Sequence, residues 1–97
     1  MRIRVTKRAD AHIDKAVSWW EQNRPHAPGA VDDELAEAFS LLAVQAEVGA
    51  PALNTTTPGV KRILLARIHY WLYYRVRRDE VQILALWHTS RGSGPRP

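Results

Sequence analysis

The chain has 97 residues, no cysteine and a formal charge of +4. That length suits one domain, 1–97, with a single core, and the lack of cysteine excludes disulfides and thiolate metal sites, as in a reducing cytosol. No apolar run reaches the ~18 residues of a membrane span, and Met1-Arg2-Ile3-Arg4 lacks the apolar stretch of a signal peptide, so a cytoplasmic protein is expected.

From the N-terminus, Arg2 and Arg4 alternate with Ile3 and Val5, the pattern of a short half-buried strand. Thr6 offers an oxygen for a helix N-cap, and Asp10 falls in the first turn, where the helix dipole favours a negative charge. Ala9, Ile13, Ala16, Val17 and Trp20 then recur at helical spacing, which predicts a helix from Lys7 to Asn23 with that stripe on the sheet and Trp19 beside it, partly covered. Asn23-Arg24-Pro25-His26-Ala27-Pro28-Gly29 breaks the helix, and Pro28 suits the first turn of the next one. The second helix carries Val31, Leu35, Ala38, Phe39, Leu42 and Ala46 on one face. Gly49 is expected as its left-handed C-terminal residue, with Pro51 as the stop. A short link between two such helices implies a helical hairpin. Residues 50–59, APALNTTTPG, read as a surface loop.

The last third holds three runs of β-branched, aromatic and leucine residues: Val60 to Arg67, Tyr70 to Arg77 and Val81 to Trp87. Only a few polar residues separate them, as in an antiparallel meander. The fold class is therefore α+β, in the order β-α-α-β-β-β. A helical hairpin packs on one face of a small, mainly antiparallel four-stranded sheet.

Within the meander, Tyr70, Leu72, Tyr74 and Val76 alternate with Trp71, Tyr73 and Arg75. In the last strand Val81, Ile83, Ala85 and Trp87 alternate with Gln82, Leu84, Leu86 and His88. Strands apolar on both faces want cover on both, yet two helices cover one. The face bearing Trp71, Tyr73 and Arg75 is then either a partly open partner surface, or is covered by the long loop or a second copy. Charge follows the same division: residues 1–48 hold six Lys/Arg and eight Asp/Glu, a balance of −2, and residues 49–97 hold eight and two, a balance of +6. A positive strand half suits an acidic partner, nucleic acid or protein, or simply keeps a sheet face soluble.

His12, His26, His69 and His88 form no HxxxH or HExxH pair, so no metal site is expected. Ser90 lies near His88 without a nucleophile elbow or an orienting carboxylate, and Gly92-Ser93-Gly94 lacks the lysine of a phosphate loop. Lys61, Arg62, Arg67, Arg75, His88 and Arg91 could on paper fill the roles of a ribonuclease, but of these residue types only histidine, here His88, is a natural proton shuttle.

Several segments then stand in a telling order: ADAHIDKAVSWW (Ala9 through Trp20), Asn23-Arg24-Pro25, Gly59-Val60-Lys61-Arg62, Tyr73-Tyr74-Arg75-Val76, and ILALWHTSRG (Ile83 through Gly92). With the order of elements, they resemble the RelE/ParE superfamily of type II toxin-antitoxin toxins, closest to the ParE branch, over nearly the whole chain. The resemblance implies a non-enzymatic toxin of the plasmid-stabilisation type. Such a toxin poisons DNA gyrase and is neutralised by a ParD-like antitoxin, in a complex of open stoichiometry, with no cofactor and no direct nucleic-acid binding in the absence of a partner. Taken with the strand pattern, target contact is expected at Trp87, His88, Arg91, Arg62 and Arg75, and antitoxin contact at Trp71, Tyr73 and Arg75. The alternative is a ribosome-dependent mRNA endoribonuclease of the RelE type. Against it, Tyr70-Trp71-Leu72 stands where that branch tends to carry a catalytic arginine, and Thr89-Ser90 replaces its aromatic ending.

Overall fold

The computed structural model describes residues 1–53 and 55–90. Strand β1 (Arg2–Val5) leads into helix α1 (Lys7–Asn23), and helix α2 (Ala30–Val44) follows. The chain then makes β2 (Ala50–Pro51), β3 (Lys61–Leu65), β4 (Tyr70–Arg77) and β5 (Glu80–His88). These strands form one sheet in the order β1-β5-β4-β3-β2, parallel between β1 and β5 and antiparallel elsewhere. The sheet thus has five strands rather than the expected four, because the start of the loop pairs Ala50 with Arg62 and Pro51 with Lys61. Among the described residues no helix is long and apolar enough to cross a membrane.

Thr6 fixes how α1 meets the sheet. Its Oγ1 accepts the Ala9 N–H at 3.2 Å, capping the helix, and donates to the Ile83 carbonyl at 2.9 Å. One side chain therefore starts α1 and ties it to β5. The α1 stripe then packs as the periodicity requires, with Ala9 and Ala16 buried and Ile13, Val17 and Trp20 against the same core.

Two sequence expectations for α2 are corrected. Its N-cap is Gly29, in the left-handed region at φ 75°, so Pro28 precedes the helix instead of opening it. At the other end α2 stops at Val44, and Gln45 closes it through its N–H to the Leu41 carbonyl at 2.8 Å. Gly49 is not the C-terminal glycine; it is needed for space. Its N–H donates to Tyr74 Oη at 2.8 Å, and a Cβ there would lie 2.6 Å from that oxygen and 3.0 Å from the Arg62 carbonyl. Burial, partly opposed by this hydrogen bond, raises the Tyr74 pKa above the ordinary tyrosine value.

The third correction decides which side chains share a face. Tyr73 pairs with Ala85 and Tyr74 with Ile83, which leaves Leu84 as an extra residue in β5. A bulge of this kind reverses the alternation beyond it. Val81, Ile83 and Leu86 therefore join the core under the helices, whereas Leu84, Ala85 and Trp87 join a second, smaller cluster on the opposite face. Continuous alternation would have put Trp87 beneath the helices and His88 on the open side.

Candidate functional site

Residues paired across neighbouring strands point to the same side of a sheet, so the register gives the composition of the face away from the helices. One row runs Arg2, Glu80, Arg77; the next runs Arg4, Gln82, Arg75. A third holds Arg62, Tyr73 and Ala85, and a fourth holds Leu64, Trp71 and Trp87. Among the described residues, five arginines thus share this face with one carboxylate, Glu80.

A chain of polar contacts orders the first two rows. Arg75 Nε donates to Gln82 Oε1 at 2.9 Å, and Gln82 Nε2 donates to Glu80 Oε1 at 2.9 Å. Arg4 and Arg2 approach the Glu80 carboxylate at 3.4 and 3.8 Å. The Gln82 hydrogen bond, followed by the two arginines, outweighs desolvation and holds the Glu80 pKa below the usual glutamate value. One carboxylate cannot neutralise this many guanidinium groups, so the face keeps a positive field.

The other two rows are aromatic. The Arg62 guanidinium lies 3.9 Å from the centre of the Trp71 ring, a cation–π stack that holds the charge flat against the sheet, and its Nη1 lies 3.4 Å from Tyr73 Oη. Beneath that stack, Tyr73 is 0% exposed and packs with Ala52, Val60, Leu84 and Ala85. The expectation of an open Tyr73 is therefore corrected. The Ala52 N–H donates to the Val60 carbonyl at 2.9 Å, which folds the long loop over the centre of this face. Loop cover, the alternative to an open face, holds for the centre, while Trp71, Trp87, Arg62 and Arg75 stay half-buried around it.

Where β5 outruns β1, α1 covers its edge. His12 Nδ1 accepts the Leu86 N–H at 3.2 Å, and the His12 ring meets Trp87 edge-on at 5.5 Å. Past this contact a cleft of about 390 Å³ opens between α1 and the ends of β4 and β5. Its walls include His12, Lys15, Trp19, Tyr70, Trp87 and His88. Tyr70 and His88 meet edge-on at 5.1 Å. His88 Nδ1 accepts the Ser90 N–H at 3.1 Å and lies 2.7 Å from Ser90 Oγ, a local turn rather than a triad. Among the described residues no cluster of three or more His, Asp or Glu could hold a metal ion.

A family model for the ParE toxin of the type II toxin-antitoxin system parDE matches residues 3–92. The chain belongs to the ParE toxin family. Its structure is also similar to one described as "Chromosomal ParDE TA system from P. aeruginosa", with a TM-score of 0.77 and 26% identity over 93% of this chain and 97% of that one. No curated protein sequence gives a significant match. The order of elements and the segments that suggested a ParE-type toxin of a type II system thus led to the right family.

Within this ParE-family fold, the residues singled out from sequence separate into two groups. Arg62, Trp71, Arg75 and Trp87 share the open face; His88, next to Trp87 in the chain, turns to the helix side and lines the end cleft. Arg91 lies outside the described residues. Sequence reasoning missed Arg2, Arg4, Arg77, Glu80 and Gln82, and also His12, Lys15 and Trp19. The outward phase of Arg2 and Arg4 was visible as alternation, but nothing local reveals that β1 lies parallel beside β5.

Proposed function

We propose that this ParE-type toxin is held inactive by a ParD-like antitoxin lying on the arginine-bearing sheet face, and that it inhibits growth in the cytoplasm by poisoning DNA gyrase. The observation that carries the antitoxin half is that face: five arginines against one carboxylate, beside the Arg62–Trp71 stack and Trp87. An acidic, amphipathic segment that orders on binding matches it, since carboxylates pair with the guanidinium groups and apolar side chains cover the exposed indole edges. Trp71 and Arg75 contact the antitoxin directly in this reading. Tyr73 supports them from below, as it supports Arg62.

The target half rests on Trp87 and His88 at the end of β5 and on Arg91, three positions after His88 in the sequence, with Arg62 and Arg75 as further cations. Trp87 opens to the arginine face and the cleft together, so one bound partner there competes with another. Mixing the purified toxin with gyrase and plasmid DNA is expected to accumulate cleaved DNA, and adding the antitoxin encoded beside it is expected to stop this. Codon-positioned mRNA ends on translating ribosomes, with no effect on gyrase, would instead assign the ribonuclease activity.

A further inference from the structure

We propose that the end cleft is an anchor pocket for an aromatic side chain flanked by carboxylates, presented by the toxin's target protein; this deepens the target reading above and adds Lys15 and Trp19 to the contact residues. Lys15 and Trp19 stand four positions apart on α1, so one helix face presents both to the cleft. Trp19 is 44% exposed, although the neighbouring Trp20 is drawn into the core. Isolated exposed aromatics are ordinary, but this one borders a concave space already walled by the rings of Tyr70, Trp87 and His88. A cleft of about 390 Å³ is at the small end of the range that holds compact ligands, with room for one planar side chain and part of the residues flanking it.

The polar groups on its walls select the sign of what lies beside that ring. Among the described residues Lys15 is a donor with no ion-pair partner and no carboxylate lines the cleft. With Nδ1 accepting the Ser90 N–H, the ring N–H of His88 is on Nε2, a donor as well. A cationic ligand would gain from the indole faces but be repelled by Lys15; an anionic group gains from both donors. Trp87 joins the cleft to the arginine face, so a polypeptide can place its ring in the cleft and run its flanking carboxylates toward the guanidinium groups. That continuity favours a protein segment over a free nucleotide.

The test is an NMR titration of the full-length toxin with three probes: the blocked peptide Asp-Glu-Phe-Glu-Asp, the blocked peptide Lys-Arg-Phe-Arg-Lys, and adenosine monophosphate. The acidic peptide is expected to shift the indole signals of Trp19 and Trp87 and the amides of Lys15 and His88. Lys15→Glu and Trp19→Ala, both at exposed positions, should each weaken it about tenfold. Arg78→Glu makes the same change of net charge at the β4–β5 turn and should leave it near the wild-type value. Equal binding of the basic peptide, response to the nucleotide alone, or shifts confined to Arg4 and Arg75 would each overturn the pocket. Gyrase cleavage is scored separately: failure of the wild-type toxin there removes the target and leaves the peptide result standing.

Discussion

The two faces of β4 make a controlled comparison, because the same eight residues, Tyr70–Arg77, serve both. Toward the helices, Leu72 and Tyr74 are 0% exposed and join a core that includes Leu35, Leu42 and Ile83. On the other side only Tyr73 is fully covered, by a loop, and Trp71, Arg75 and Arg77 surround it with rings and charge. Closure by two helices makes one face the main source of stability. Partial closure by a loop leaves the other able to bind.

The largest effect should come from the helix side. Leu72→Ala empties a fully buried site and is expected to cost about 2–5 kcal/mol in urea denaturation, whereas Trp71→Ala on the opposite face should cost much less stability and weaken antitoxin binding more. The reverse ranking would break the comparison. Next is Gly49→Ala, which drives a methyl into Tyr74 Oη and should cost about 1–3 kcal/mol. Pairing it with Tyr74→Phe removes the clashing oxygen but not the ring carbon at 2.8 Å, so the double variant should recover part of the loss in a double-mutant cycle.

A smaller effect sharpens the binding side. Arg75→Glu should weaken the antitoxin about tenfold at low salt, with the loss shrinking as salt is added and the melting temperature nearly unchanged. The smallest concerns Glu80. Its pKa is lowered in the folded state, so the stability it contributes is present above the ordinary glutamate value and fades as pH falls through the lowered one. Glu80→Gln should therefore melt slightly below wild type at pH 7, and the two melting curves should converge on acidification.

Legibility from sequence followed how local each cause was. The bounds of α1 were readable because Thr6, the apolar stripe and Asn23 all act within a few residues. The span of β4 was readable because its alternating run ends at the Arg78-Asp79 turn. The end of α2 was misread because Gly49 carries a signal that fits two causes, a left-handed helix end or a close neighbour, and the neighbour is 25 residues away. The candidate site was half legible. Arg62, Trp71, Arg75 and Trp87 do come together, but His88 goes to the other side, since a run apolar on both phases cannot announce an extra residue at Leu84.

The sequence by itself determined the element order, the helix that opens the fold, the meander and the toxin family. Periodicity, capping and short-range spacing are properties of neighbouring residues and survive in one dimension. Only the tertiary structure decided that β1 brings Arg2 and Arg4 beside Gln82 and Glu80, that a loop seals Tyr73, and that His88 joins Lys15 and Trp19. Those outcomes depend on strand register and on which surfaces meet, and contacts between residues dozens of positions apart fix both.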